Sequence, residues 1–325
     1  MSTISRTKGN VQAELIQGNF AGKDIVSLSQ FAPKDLTKLF ALTKKYKQSV
    51  PANLLAGTVT SLLFYEPSSR TFGSFAAAIK RLGGETIEIL DPETFSSVSK
   101  GETLEDTIRV FEAYSDAIVI RHKEKGTAQK AADAASIPII NAGDGIGEHP
   151  TQGLLDLYTI YEKHGRLDNL IGVFAGDILN GRTLHSTIRG LSLYKNNTLY
   201  LLSPKELRLS RELFEEFSQH GVKLIEITDE KAMPKNADFW YWTRVQKERF
   251  ASPEAYQKVK NKFVVTMALV KTHAGKDTII MHPLPRVGEI EPDVDADPRS
   301  VYLRSQIRNG MYIRMALMAL VLGKA

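Results

Sequence analysis

The sequence contains no cysteine. Disulfides, thiolate nucleophiles and cysteine-ligated metal sites are therefore excluded, and nothing points to secretion. It also lacks an uninterrupted apolar run long enough to cross a bilayer, so no membrane association is expected. The seven histidines are scattered, and the H-E-x-x-H, Walker A and G-x-S-x-G patterns do not occur. That removes the zinc-protease, P-loop and serine-hydrolase signatures. Internal repeats, low-complexity tracts and long Gly/Ser linkers are missing too. The opening residues, MSTISRTKGNVQAELIQ, are basic and hydroxyl-rich but have no apolar signal core, and they are short for an organelle transit peptide. A cytoplasmic protein is the simplest expectation. Neither sign of charge is in large excess: 42 Lys+Arg stand against 37 Asp+Glu, a formal net charge of +5. The basic residues are dispersed, which suits small anionic ligands and gives no sign of a nucleic-acid partner.

What is present fills two domains of ordinary size or one large α/β unit, with 325 residues and a hydrophobic fraction of 42%. The chain is organised around residues 58–90, TVTSLLFYEPSSRTFGSFAAAIKRLGGETIEIL. Val59, Leu62, Leu63, Phe64 and Tyr65 make a buried-type strand that ends at Glu66-Pro67. Ser68 and Ser69 are strong N-cap types. Phe72, Phe75, Ile79 and Leu82 then recur at helical steps until Gly83-Gly84 stops the run. A strand feeding a helix that begins Ser-Ser-Arg-Thr gathers unpaired backbone N–H groups, three hydroxyls and the Arg70 guanidinium at one spot. Such a spot cradles an anion. The alternative for the tetrapeptide alone is that Ser68 caps the helix and Arg70 lies in solvent.

Residues 1–20 show no periodicity and are expected to form an extension or a loosely attached arm. Residues 29–46 have helical spacing, with Pro33 near the start and lysines toward the end. Residues 96–101 are polar and are expected to be flexible. Thr103 with Asp106 resembles a capping box for a helix whose buried face is Leu104, Ile108 and Phe111. Residues 117–120 form a strand with Arg121 and His122 at its end, where ligands gather in parallel sheets. Residues 137–140 read as the next strand, and a long helix follows from Pro150. Gly143, Gly145 and Gly147 invite a dinucleotide-fold reading, but Glu148 occupies the place of the third glycine of G-x-G-x-x-G. A second strand-helix series starts near residue 170. It includes one charged helix over residues 205–221, and Arg244, Gln246 and Arg249 follow an aromatic strand. The expected architecture is α/β: two doubly wound domains, each with a central parallel sheet, and an active site in the interdomain cleft. Residues 21–150, completed by a C-terminal helix over 302–325, form the first domain. Residues 151–301 form the second, with 151–163 as the linking helix.

FYEPSSRT resembles the carbamoyl-phosphate signature of the transcarbamoylase family, F-x-E-x-S-T/S-R-T. HPTQGLLD resembles a second signature of the same family, H-P-x-Q-x-L-L-D. With SSVSKGET, VIRH, GDILNGRT, TRVQKERF and HPLPR in the same order, the resemblance runs from about residue 25 to the end. TRVQKERF and HPLP favour the aspartate branch over the ornithine branch, which typically reads H-C-L-P. The side chains agree, because two acceptor carboxylates want fixed cations such as Arg182 and Arg244.

The resemblance implies attack of the aspartate α-amine on carbamoyl phosphate, giving N-carbamoyl-L-aspartate and phosphate in an early step of pyrimidine synthesis, with no cofactor and no metal. Carried over residue by residue, it implies that Ser68, Ser69, Arg70 and Thr71 hold the phosphate. Thr71, Arg121 and His149 then contact the carbamoyl oxygen. Gln152 and the carbonyls of Pro283 and Leu284 orient the carbamoyl nitrogen, while Arg182, Arg244 and Gln246 bind the acceptor carboxylates. Ser96 and Lys100 are implied to reach a neighbouring subunit's site, which makes the expected assembly a homotrimer with shared sites; regulatory chains are left open. Glu66 is implied to be an interdomain acid with Arg182 and Arg249 as partners. Phe72-Gly73 departs from the family's commoner arginine and apolar residue, and altered affinity is the expected consequence. The rivals are a transcarbamoylase for another amine, a non-catalytic anion-binding or assembly protein, and a nicotinamide-dependent oxidoreductase.

Overall fold

The computed structural model describes residues 14–247, 250, 252–260 and 262–325. It divides into two compact units. One comprises the chain up to Leu154 together with Gly310–Ala325, and the other is Leu155–Asn309.

In the first unit, helix α1 (Pro33–Gln48) precedes strand β1 (Val59–Phe64), helix α2 (Ser69–Arg81) and strand β2 (Glu85–Leu90). A short helix α3 (Pro92–Phe95) and helix α4 (Leu104–Glu112) lead to strand β3 (Ala117–His122). Helix α5 (Thr127–Ala134) and strand β4 (Ile139–Asp144) follow, and then helix α6 (Pro150–His164), in which the chain leaves the unit. Among the described residues the sheet has four parallel strands in the order β2-β1-β3-β4. Strands β1 and β3 are buried almost throughout, as interior parallel strands must be; β4, at one edge, is buried too, with Ile25 bridged to its outer side, whereas β2 is a half-exposed edge. The apolar stripe of α2 packs on this sheet through Phe75 and Ile79, and Phe72 meets Phe64 edge-on at 5.4 Å.

Four expectations change here. Ile16 and Phe20 are both buried, so residues 14–20 are part of the packed unit and not a loose arm. Phe20 lies edge-on to Phe31 at 6.0 Å, and the Gly18 N–H donates to Asp35 Oδ1 at 2.6 Å. Two apolar anchors in an aperiodic stretch need no helix to be held. Strand β4 starts two residues later than expected, at Ile139, and runs on to Asp144. Pro138 has no N–H to give, and the sequence beyond Ile140 is too polar to read as a strand. Its backbone is satisfied by Ile25, whose N–H donates to Ile139 O and whose carbonyl accepts from Asn141 N–H, both at 2.8 Å. Residues 97–100 form a 3-10 turn instead of an irregular loop, because the Ser96 hydroxyl donates to Pro92 O at 2.7 Å and accepts from Val98 N–H at 3.2 Å. Thr103 does cap α4, accepting from Asp106 N–H at 3.2 Å. Finally, Ser68 stands at the N-cap of α2 but makes no side-chain cap bond.

The second unit runs through strand β5 (Ile171–Ala175), helix α7 (Arg182–Leu191), strand β6 (Thr198–Leu202), helix α8 (Arg211–Gln219) and strand β7 (Lys223–Ile227). Strand β8 (Phe239–Trp242), helices α9 (Pro253–Gln257) and α10 (Met267–His273) and strand β9 (Ile279–Met281) complete it. Helix α11 (Ser305–Val321) then carries the chain back to the first unit. The described sheet has five parallel strands in the order β7-β6-β5-β8-β9. All four residues of β8 are buried, and Trp240 and Trp242 are wholly enclosed in the core. The expected helix over residues 205–221 is two pieces, a 3-10 turn Lys205–Leu207 and α8. Leu207 and Leu209 anchor the break, and Ser210 caps α8 by accepting from Leu213 N–H at 3.3 Å. No helix among the described residues is long and apolar enough to cross a membrane.

Candidate active site

Each sheet reverses its winding at one place. In the first unit β1 has β2 on one side and β3 on the other; in the second β5 lies between β6 and β8. Loops at the carboxyl ends of such neighbouring strands open a crevice, which is where open α/β sheets bind ligands. Ser68 to Thr71 follow β1, and Arg121 is the penultimate residue of β3. Arg182 follows β5 and Arg244 follows β8.

The cluster in the first unit is set by register. Phe64 pairs with Arg121 across β1 and β3, and the Tyr65 N–H donates to Arg121 O at 2.8 Å. Glu66, one residue on, then meets the guanidinium, with Arg121 Nη2 2.6 Å from Glu66 Oε2. Arg121 Nη1 donates to Ala142 O at 3.0 Å, and the arginine is 7% exposed. It fits because residue 143 is glycine. A Cβ there would stand 2.7 Å from Arg121 Nη1 and 3.5 Å from His149 Cδ2, and the backbone has a φ of +117°. His149 is buried at the start of α6, and its Nε2 lies 3.4 Å from the Thr71 hydroxyl. Gln152, half-buried, sits in the first turn of α6 and its N–H donates to His149 O at 2.9 Å. Thr71, Arg121, His149 and Glu66 are thus brought together beside the uncapped start of α2, where Ser69 and Arg70 are exposed and Ser68 is half-exposed. Ser96 keeps its hydroxyl in the local turn, and Lys100 is exposed at that turn's end.

Glu148, which spoils the glycine motif, anchors the N-terminal segment. Its carboxylate accepts from Ser27 Oγ at 2.6 Å and Leu28 N–H at 3.0 Å.

The cluster in the second unit is built on Asp177, which was not singled out from the sequence. Its carboxylate is fully buried and accepts from Asn180 N–H at 3.0 Å, from the Asn180 amide at 3.0 Å and from Gln246 N–H at 3.3 Å. Burial pushes the Asp177 carboxyl above its usual range, against the pull of the Asn180 and Gln246 N–H groups and of the Arg244 charge. The Gln246 amide donates to Asn180 O at 2.9 Å, and the Arg182 N–H donates to the same carbonyl at 2.9 Å. The loops 177–182 and 243–246 are in this way tied into one piece, and half-buried Arg182 and Arg244 are carried on it. The signal for Asp177 was an acid directly after a buried strand at the winding reversal. Pro283 and Leu284 follow β9. The Leu284 N–H donates to His282 Nδ1 at 2.8 Å, and His282 Nε2 lies 2.7 Å from Glu289 Oε1. Burial alone would push the Glu289 carboxyl up, but the hydrogen bonds from His282 and the Val287 N–H hold it below the usual range. Arg249 lies outside the described residues. Among those described, no three His, Asp or Glu side chains cluster as a metal ion would require.

Two family models match the chain. Residues 23–162 match the carbamoyl-P binding domain of aspartate/ornithine carbamoyltransferase, and residues 168–321 match the Asp/Orn binding domain. The aspartate carbamoyltransferase catalytic subunit of Methanopyrus kandleri is 42% identical over 94% of this chain and 99% of its own. A multifunctional protein, pyr1-3 of Dictyostelium discoideum, is 45% identical over 94% of this chain, which spans only 14% of that protein's length. The structure is also similar to aspartate transcarbamoylase from Trypanosoma cruzi in complex with carbamoyl phosphate and aspartate. That match has a TM-score of 0.86 and 37% identity, covering 96% of this chain and 100% of the other.

Proposed function

We infer the reaction from an established fact: the chain belongs to the aspartate/ornithine carbamoyltransferase family. It is an enzyme that transfers the carbamoyl group of carbamoyl phosphate to the α-amine of L-aspartate, giving N-carbamoyl-L-aspartate and phosphate, an early step of pyrimidine synthesis. The observation that carries this reading is the gathering of Thr71, Arg121 and His149 around Gly143, beside the uncapped start of α2.

In this reading the donor phosphate takes the first-turn N–H groups of α2, the hydroxyls of Ser68, Ser69 and Thr71, and Arg70. The carbamoyl oxygen takes Thr71, Arg121 and His149. Gln152 and the carbonyls of Pro283 and Leu284 accept from the carbamoyl nitrogen, and Arg182, Arg244 and Gln246 bind the aspartate carboxylates. The neutral amine forms a C–N bond to the carbamoyl carbon, negative charge grows on its oxygen, and the C–O bond to phosphate then breaks. The leaving phosphate accepts the amine proton, so His149 is a hydrogen-bond partner of the oxygen and not the base. Glu66 keeps Arg121 aimed while the oxygen gains charge. Holding the two anions in attack geometry supplies up to roughly 7 to 11 kcal/mol, and fixed donors to the oxyanion add to it.

Aspartate is favoured over ornithine by the state of Asp177. An ornithine ammonium would need an acid, but the one after β5 is fully buried and already accepts from Asn180 and Gln246. Phosphate release from carbamoyl phosphate with aspartate, run beside ornithine, tests the assignment. Turnover with aspartate alone is expected; turnover with ornithine alone would overturn it.

The resemblance of SSVSKGET to the family's loop, with Lys100 exposed at the end of its turn, is what supports a homotrimer with shared sites. Mixing inactive Arg70→Ala and Lys100→Ala chains should restore activity, and no recovery after demonstrated subunit exchange would refute the sharing.

A further inference from the structure

The loop after β9 is held almost entirely by side chains. The His282 N–H donates to Gln306 Oε1 at 3.0 Å, the Leu284 N–H to His282 Nδ1 at 2.8 Å, and the Val287 N–H to Glu289 Oε2 at 2.8 Å. Because a backbone N–H can only donate, Nδ1 of His282 is the acceptor. The ring proton therefore sits on Nε2, facing Glu289 Oε1 at 2.7 Å. The Gln306 amide is oriented by the same logic. Its oxygen faces the His282 N–H, and its Nε2 donates to Asp156 Oδ1 at 2.7 Å. Asp156, fully buried on α6, also accepts from Tyr241 Oη at 2.8 Å and from Thr187 Oγ1 at 3.3 Å. One buried chain of bonds thus runs from β8 through α6 and α11 to the His282 backbone N–H, and all its members lie in the second unit.

The Pro283–Leu284 peptide is trans, so its carbonyl points opposite to its N–H. With that N–H fixed on His282, the Pro283 carbonyl is aimed away from the ring. Its direction is inherited from His282, whose own N–H is fixed by Gln306.

We propose that Gln306, held by Asp156, is a positioning residue that aims the Pro283 carbonyl through His282 and so lets the enzyme tell a donor's NH2 from a methyl group. The proposal rests on the reading that this carbonyl accepts from the carbamoyl nitrogen. A purely structural role would leave that discrimination unchanged.

The test is the ratio of dissociation constants for carbamoyl phosphate and acetyl phosphate, in which a methyl replaces the amide nitrogen, measured by calorimetry on the full chain. Wild type is expected to prefer carbamoyl phosphate by about 10-fold or more, the worth of one or two hydrogen bonds. Gln306→Met, similar in shape but without either bond, should shrink that preference about tenfold and leave acetyl phosphate binding within about twofold. His282→Phe should behave the same way and serves if Gln306→Met does not fold. Asp156→Asn, whose oxygen still accepts from Gln306, should keep the preference. Equal weakening of both ligands, or an undiminished preference in Gln306→Met and His282→Phe, would overturn the role of Gln306. A wild type with no preference would remove the carbonyl reading itself and the proposal with it.

Discussion

The two units solve the same problem in opposite ways. Each places cations at the carboxyl ends of strands where the winding reverses. In the first unit the cation is the buried partner: Arg121 is enclosed, ion-paired to Glu66 at 2.6 Å and bonded to Ala142 O at 3.0 Å. In the second the acid is buried. Asp177 holds loop N–H groups, and Arg182 and Arg244 ride half-exposed on the loops it ties. On the site assignment proposed above, the difference follows the chemistry. Charge develops on the carbamoyl oxygen during the reaction, so its donors must be fixed beforehand. The acceptor's carboxylates keep their charge throughout, and cations on shaped loops suffice.

If the first unit's fixed cation carries the chemistry, Arg121→Ala should lower kcat about 10²- to 10³-fold, the cost of one oxyanion donor, with the KM for aspartate little changed. Steady-state kinetics on folded variant protein measures this, and a fall below about tenfold would break the contrast. Gly143→Ala should act in the same direction but less, about tenfold in kcat, since the new Cβ displaces Arg121 Nη1 and strains a φ of +117°. A kcat equal to wild type would show that Arg121 has room to spare.

A smaller effect sharpens the second unit's side. Burial pushes the His185 imidazole down to about 4, and its Nε2 lies 2.8 Å from Ile178 O in the loop after Asp177. A histidine whose folded pKa lies below its unfolded value is protonated first in the unfolded chain. Its stabilisation is therefore complete above about pH 6.5 and is lost as pH falls toward 4, up to roughly 3 kcal/mol across the window. His185→Gln retains a donor without this titration. Its denaturation midpoint should fall less than that of wild type between pH 7 and 5, and parallel curves would contradict the assignment.

Strands and helices with long apolar patterns, such as β1, α2 and β3, were legible in the sequence, because burial on parallel sheets writes itself as continuous Val, Ile and Leu. Boundaries set by tertiary bonds were not: β4 continues through polar Asn141 because Ile120 of β3 and Ile25 both pair with it, and Ile16 and Phe20 are buried without any period. The candidate ligands were legible through motifs, but the groups that aim them were less so. Asp177, Gln306 and Asp156 act through bonds across 24 to 150 residues of chain. Such partners leave little local pattern. Asp156 did leave one trace, an acid inside the apolar run LLDLYTI of α6.

In the proposed assignment the first unit binds the donor and the second the acceptor. Parallel steady-state kinetics of Arg70→Ala and Arg244→Ala test it most directly. Arg70→Ala is expected to raise the KM for carbamoyl phosphate about tenfold or more and Arg244→Ala the KM for aspartate, each leaving the other KM near wild type. Both variants raising the same KM, or each raising the other's, would contradict it.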